Sequence, residues 1–326
     1  MIEAAGLRKT YRVGRGPKAS TVEAVRGVDF VVQQGEIVGF LGPNGAGKST
    51  TLRMLGTLIK PDGGSATIAG ADLLREPGLV RRRIGFVAQS SGTYGDSTAR
   101  RDLVLQARMY GVPKVQAQEL AEASIAAFQL DGFADRKIRT YSGGQRRRLD
   151  VALGVIHSPQ IVFLDEPTAG LDPPSRMRMW QEIRRLRDEG MTIFLTTHYL
   201  DEADALCDRI SIIDAGLIVA EGTPKELKRE ISGDVVTIDM AAADNAGVVD
   251  PETMRETAKL LAEEPYVRSL ETIDTTLRLY VDSAAGAIPQ IMRTLLTNNI
   301  QPGGIESRLP SLDDVFLAKT GRSLEE

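Results

Sequence analysis

The apolar run Glu36-Ile37-Val38-Gly39-Phe40-Leu41 opens directly onto Gly42-Pro43-Asn44-Gly45-Ala46-Gly47-Lys48-Ser49, which matches G-x-x-x-x-G-K-[ST] at every fixed position. Thr51-Leu52-Arg53-Met54-Leu55 follows. The segment therefore reads as strand, tight loop and helix, the context in which this pattern cradles phosphates. Glycines at 42, 45 and 47 admit backbone angles closed to other residues. Successive N–H groups can then point at a triphosphate beside the positive end of the following helix. Lys48 supplies a point charge to the β- and γ-phosphates, and the Ser49 hydroxyl is placed to ligate Mg²⁺, a hard cation that prefers oxygen. Gly42, Pro43, Asn44, Gly45, Ala46, Gly47, Lys48, Ser49 and Thr50 are the candidate nucleotide-binding residues.

A second apolar run, Ile161-Val162-Phe163-Leu164, reads as a buried parallel strand and ends in Asp165 and Glu166. Neighbouring strand residues point opposite ways. Asp165 is thus the candidate for holding Mg²⁺ through water, and Glu166, just past the strand end, is the candidate base that polarises the attacking water. Paired acids also close strands in plain solvated loops. The turn-forming segment from Pro167 to Pro173 favours the chemical reading, since it would carry the chain back across a nucleotide. The stretch from Met191 to Thr197 reads as another buried strand with His198 at its carboxyl end, where ligands gather in open α/β sheets. A lone histidine is ordinarily solvated or part of a core; behind the phosphate loop and acid pair, His198 becomes a candidate for contacting the γ-phosphate. His157, just before Ser158-Pro159, keeps the ordinary reading.

The order of phosphate loop, Gln89 after Ile84–Ala88, Tyr141-Ser142-Gly143-Gly144-Gln145, Asp165-Glu166, Asp172 and His198 resembles the ATP-binding subunits of ABC transporters over residues 1 to 224. The resemblance implies ATP hydrolysis with Mg²⁺ as cofactor. It also implies that Gln89 links Mg²⁺ and water to the membrane-facing surface, that Asp172 belongs to the D-loop, that His198 is the switch histidine and that Tyr11 stacks on adenine. From the residues alone, Tyr11 in Arg8-Lys9-Thr10-Tyr11-Arg12 also reads as a half-exposed strand residue. The family signature is normally Leu-Ser-Gly-Gly-Gln, and Tyr141 stands in its first place here.

Ser142, Gly143, Gly144 and Gln145 precede a segment whose apolar positions suit a largely buried helix. A Ser-Gly-Gly start leaves N–H groups at that helix's positive end for a γ-phosphate. Because residues 42–49 already form one phosphate cradle, the second would serve the ATP of another subunit. The chain then looks like half of a head-to-tail homodimer.

Leu309 to Leu317 and Tyr141 to Leu149 resemble motifs of the daunorubicin-resistance ATP-binding subunits. That likeness implies an exporter of drugs or other hydrophobic compounds. Its ATPase would be cytoplasmic, held on the inner face of the membrane by a separate transmembrane permease. Ala99-Arg100-Arg101-Asp102-Leu103 departs from the Gly-Arg-Glu-Asn-Leu common there. The alternative is a soluble ABC-type ATPase acting on DNA or ribosomes. One phosphate loop, one signature and no long heptad array argue against it, and a net charge of −4 argues against nucleic acid as a partner.

With 42% hydrophobic and 26% charged residues, the 326-residue chain reads as a soluble globular protein of about two domains. No stretch approaches the ~20 apolar residues of a membrane helix, and the start from Met1 to Arg8 lacks a signal peptide's apolar core. Cys207, the single cysteine, excludes an internal disulfide and reads as a small core residue. Arg81-Arg82-Arg83 and Arg146-Arg147-Arg148 read as solvated helix faces.

Residues 1–88 and 156–224 read as strands alternating with helices, an α/β P-loop NTPase (RecA-like) core interrupted by a helical subdomain over 89–155. Residues 225–326 follow the pattern β-α-β-β-α-β, which predicts a small ferredoxin-like α+β accessory domain. Near its end Leu312, Val315 and Phe316 read either as an apolar face for the dimer or membrane subunit, or as a plug for their own domain's core.

Overall fold

The computed structural model describes residues 1–14, 20–230, 233–241 and 251–322. They form two compact units, Met1–Pro224 and one beginning at Lys225. In the first, five strands run parallel in the order β9 (Arg209–Asp214), β3 (Ile37–Leu41), β8 (Thr192–Thr197), β7 (Ile161–Asp165) and β6 (Ile84–Val87). β10 (Leu217–Gly222) adds antiparallel to β9 at the edge. Every residue of β3, β7 and β8 is buried, as expected of unalternating apolar strands covered on both faces.

Part of that cover is a second, antiparallel sheet in the order β2 (Ser20–Val32), β1 (Ile2–Val13), β4 (Gly63–Ile68), β5 (Ala71–Asp72). The two sheets meet through aromatic rings. Phe30 of β2 lies 5.0 Å from Phe40 of β3 between ring centroids, and Phe194 of β8 lies 4.7 Å from Phe40 and 5.9 Å from Phe163 of β7.

The alternation of strand and helix expected from residue 1 onward therefore fails at the start. Among the described residues up to Asp72 there are five strands and one helix, α1 (Lys48–Leu55). The physical reason lies in β2, which buries Val25, Val28, Phe30 and Val32 while exposing Arg26, Asp29 and Val31. Such one-sided burial belongs to an antiparallel sheet rather than to a parallel α/β core.

α2 (Pro77–Arg83) leads into β6. After β6 the chain leaves the sheet as α3 (Ala99–Met109), α4 (Lys114–Ala127) and α5 (Gly143–Val155), then returns as β7. α6 (Pro173–Asp188) and α7 (Leu200–Leu206) join β7 to β8 and β8 to β9. This is the α/β ATPase fold with a helical insertion that the motifs predict.

The second unit follows α8 (Pro224–Glu230) with β11 (Asp234–Asp239), α9 (Pro251–Ala262), β12 (Val267–Ile273), β13 (Thr276–Val281), α10 (Ala284–Thr297), β14 (Gly304–Arg308) and α11 (Leu312–Thr320). All its strand pairs are antiparallel, in the order β12-β13-β11-β14, the ferredoxin-like arrangement expected from the sequence. Val236, Ile238, Leu277 and Leu279 pack with Leu261 of α9 and with Ile291 and Leu295 of α10. The Tyr280 hydroxyl donates to Asp314 of α11 at 3.2 Å. Leu312, Val315 and Phe316 on the same helix are buried, so they present no exposed apolar face.

Candidate functional site

β3 delivers the chain to the phosphate loop at the carboxyl end of the parallel sheet. Gly45 and Gly47 take left-handed backbone angles, φ 83° and 106°. Gly47 is also the N-cap of α1, with no side chain capping the helix, so its first N–H groups stay available to a ligand. Gly42 is different from the expectation, because it needs no left-handed angle. A Cβ there would sit 2.1 Å from the Ile213 carbonyl oxygen, so close backbone approach is what demands glycine. Lys48 folds over the loop, with Nζ donating to the Gly42 and Pro43 carbonyls at 2.6 and 3.0 Å. Burial pulls its pKa down, opposed by the charges of Glu166 and Asp165.

Since β8 lies between β3 and β7, the ends of all three strands open at one place. Asp165 Oδ1 accepts from Ser49 Oγ and from Thr196 Oγ1, both at 2.7 Å. Its Oδ2 is buried without a hydrogen-bond partner. A hydroxyl and a carboxylate with a free buried oxygen form a hard-oxygen set that fits Mg²⁺.

Glu166 takes a left-handed angle, φ 45°, unusual for a residue with a side chain. Such angles cost on the order of 1–3 kcal/mol and persist where neighbours over-determine them. Here the Glu166 N–H is shared between the carbonyl and the hydroxyl of Thr196, each at 3.1 Å. The carboxylate is the meeting point of three predicted site residues: Gln89 Nε2 donates to Oε2 at 2.8 Å, His198 Nδ1 lies 3.4 Å from Oε2, and Lys48 Nζ lies 4.0 Å from Oε1.

Other predicted residues stand outside these contacts. Ser142 caps α5 in a reciprocal box, accepting from the Gln145 N–H at 3.2 Å while Gln145 Oε1 accepts from the Ser142 N–H at 3.0 Å. Gly143 and Gly144 form the first turn of that helix, and a Cβ on Gly144 would come 2.8 Å from Ser175 Oγ. Asp172 caps α6 by accepting from the Ser175 N–H, and hydrogen bonding to Ser175 holds its carboxyl below the usual range. Tyr11 is 36% exposed on β1, with Lys9 Nζ 5.8 Å from its ring centroid. His157 stacks on Tyr110 with ring centroids 3.6 Å apart.

Two residues escaped sequence reasoning. Arg147 is buried rather than on a solvated face, and its guanidinium reaches the carbonyls of Ala88, Asp165, Glu166 and Pro167. Glu202 is fully buried and accepts from Thr168 Oγ1 at 2.8 Å and Trp180 Nε1 at 3.2 Å, with burial raising its pKa. Nothing local marks Arg147 within a run of three arginines. Glu202 carries only the weak signal of standing four residues after His198.

Family models match two stretches of the chain, ABC transporter over residues 25–169 and ATP-binding protein DrrA1-3-like, C-terminal domain, over residues 222–320. Along its whole length the chain is 41% identical to a daunorubicin/doxorubicin resistance ATP-binding protein of Streptomyces peucetius, covering 94% of that protein. The chain belongs to the ABC transporter ATP-binding proteins, in this drug-resistance branch. The cassette is 40% identical to a doxorubicin resistance ATP-binding protein of Mycobacterium tuberculosis over 97% of its own length and 92% of the relative's. With a linearmycin resistance ATP-binding protein of Bacillus subtilis it shares 32% identity over the full length of both. Among solved structures, it resembles a dimeric ATP-binding cassette in a post-hydrolysis state bound to ADP and phosphate. The TM-score is 0.62 at 28% identity, covering 68% of this chain and 98% of that one. As a member of this family, the cassette is an ATPase coupled to transport.

Proposed function

We propose that this cassette powers an exporter of drugs or other hydrophobic compounds, as a head-to-tail homodimer docked on a separate membrane subunit. The meeting of Lys48, Gln89 and His198 at the Glu166 carboxylate carries the hydrolytic part of this reading, and the likeness to drug-resistance ATP-binding proteins supports the export part. ATP lies in the loop from Gly42 to Gly47 and along Ser49 and Thr50, with Tyr11 against the adenine. Lys48 exchanges two neutral carbonyl acceptors for anionic phosphate oxygens, a gain because opposite charges then attract across the hydrogen bond. Ser49, Asp165 and Gln89 would hold Mg²⁺. When bound, the ion neutralises charge on the transferring phosphoryl group.

Glu166 orients the attacking water and draws its proton. Gln89 holds the carboxylate at Oε2, and His198 approaches the same oxygen through Nδ1, with its second ring nitrogen left for the γ-phosphate. Asp172 and the α5 start, Ser142 to Gln145, serve the nucleotide held by the second copy. The dimeric state of the solved cassette supports that arrangement.

For the membrane subunit, the cassette offers a cleft of about 390 Å³ between the segment after β6, α3 and α5, lined by Phe86, Val87, Tyr94, Leu105 and Leu153 with Asp150. Among the described residues no helix is long and apolar enough to cross a membrane. On this reading the partner does the spanning, and holds the cassette at the cytoplasmic face. The test uses inverted membrane vesicles carrying the cassette with a candidate membrane subunit and daunorubicin as the probe. ATP-dependent accumulation is expected, and accumulation no greater than in vesicles lacking the cassette overturns the export role.

A further inference from the structure

Arg147 sits in the second turn of α5, five residues after Ser142, and is 6% exposed. No carboxylate pairs with it directly among its hydrogen bonds. Its planar fork is spent on main-chain oxygens: Nε donates to Pro167 O at 2.8 Å, Nη1 to Ala88 O at 2.5 Å, and Nη2 to Asp165 O at 2.9 Å and Glu166 O at 3.2 Å. These carbonyls belong to the residue before Gln89 and to three consecutive residues around Glu166. Both ends of the Gln89 to Glu166 bond are therefore anchored to one guanidinium. The left-handed Glu166 peptide is held at its N–H by Thr196 and at its carbonyl by Arg147.

We propose that Arg147 is a positioning residue for hydrolysis, locking the Glu166 turn and the start of the Gln89 segment to the helix that begins at Ser142. Rigid, multidentate donation is the property that only a guanidinium supplies. A lysine ammonium at the end of a flexible stem cannot span carbonyls on two separate segments in a fixed plane. Because the fork grows from α5, any shift of that helix moves Glu166 and Gln89 together. A misplacement of about 1 Å at a reacting group costs on the order of 100-fold in rate. The Arg147 guanidinium bonds to the carbonyls of Ala88, Asp165, Glu166 and Pro167 and to neither Lys48 nor the phosphate loop, so nucleotide affinity is expected to be independent of it.

The inference rests on Glu166 being the group that acts on water, and the test separates the two. Parent, Arg147→Lys, Glu166→Gln and the double variant of the full chain are compared for melting temperature, equilibrium ATP affinity and kcat. Arg147→Lys is expected to bind ATP within twofold of the parent while kcat falls at least tenfold, and the double variant is expected to be no slower than Glu166→Gln alone. If Glu166→Gln is slow and a folded Arg147→Lys keeps parental kcat, the positioning role is wrong and the Glu166 role survives. If Glu166→Gln keeps parental kcat, the Glu166 role itself fails. Should Arg147→Lys not fold, Arg147→Gln, which retains two donors without a buried charge, replaces it under the same criteria. Failure of both to fold, or a loss of affinity equal to the loss of kcat, makes Arg147 a stability residue and overturns the proposal.

Discussion

Gln89 Nε2 and Glu166 Oε2 are hydrogen-bonded at 2.8 Å across 77 positions of sequence, because the strands preceding them, β6 and β7, are parallel neighbours. The bond holds the carboxylate at Oε2, and an amide in its place can still present an oxygen to Gln89. Glu166→Gln is therefore expected to keep the geometry and lose the base. Turnover should fall about 10²–10⁴-fold, with ATP affinity little changed and a dimer accumulating in Mg-ATP on size-exclusion chromatography. A variant that hydrolyses at the parental rate and stays monomeric sinks the assignment.

Lys48→Ala removes the buried ammonium that bridges the loop carbonyls. Hydrogen bonds to charged groups contribute ~1.5–3 kcal/mol, so ATP affinity should fall by roughly 10- to 100-fold, and turnover with it. Calorimetric titration with ATP decides this; parental affinity would remove Lys48 from the nucleotide site.

Ser142 caps α5 while Lys48 folds over the phosphate loop, and the proposed dimer assigns them to two different ATPs. Mixing Lys48→Ala protein with Ser142→Arg protein should restore one intact site per heterodimer and a fraction of parental ATPase activity. A mixture no more active than its components, with heterodimers shown by mass, speaks against the shared site.

Leu312 and Phe316 are 2% and 0% exposed on α11. Single truncations of such core side chains cost ~2–5 kcal/mol, and residues one helical turn apart do not add simply. Leu312→Ala with Phe316→Ala should lower the melting temperature of the second unit by many degrees while leaving Mg-ATP dimerisation intact at low temperature. Lost dimerisation with unchanged melting would restore the interface reading.

Burial pushes the Asp314 carboxyl up, and hydrogen bonds from Arg308 and Ser311 outweigh it, bringing its pKa to about 2. An unfolded aspartate titrates near ~3.9. A depressed folded pKa contributes stability that is fully present above the unfolded value and disappears as pH falls through the folded one. The stability advantage of the parent over Asp314→Asn should hold above about pH 4 and shrink toward pH 2, followed by urea unfolding. A gap constant across that window contradicts the ionised pairing.

What could be read from the residues in order is whatever closes within a few positions. The phosphate loop needs only its glycines, Lys48 and Ser49 between a strand and a helix, and the apolar runs ending in Asp165 and Thr197 announce buried parallel strands by composition. The β-α-β-β-α-β pattern of the second unit was equally local. Packing decided the rest. Residues 146, 147 and 148 are all arginine, and successive helix positions are turned about 100° apart. Which of them faces inward depends on how α5 lies against β6 and α6, information held by no single stretch of chain. The same holds for Gly42, whose need for glycine comes from Ile213 on another strand, and for the left-handed turn at Glu166, which Thr196 and Arg147 sustain from two distant segments. Motif spacing identifies groups able to act on a phosphate. Only the strand order β3-β8-β7-β6 brings Lys48, Gln89 and His198 to one carboxylate, because strands that neighbour in the sheet are far apart along the chain.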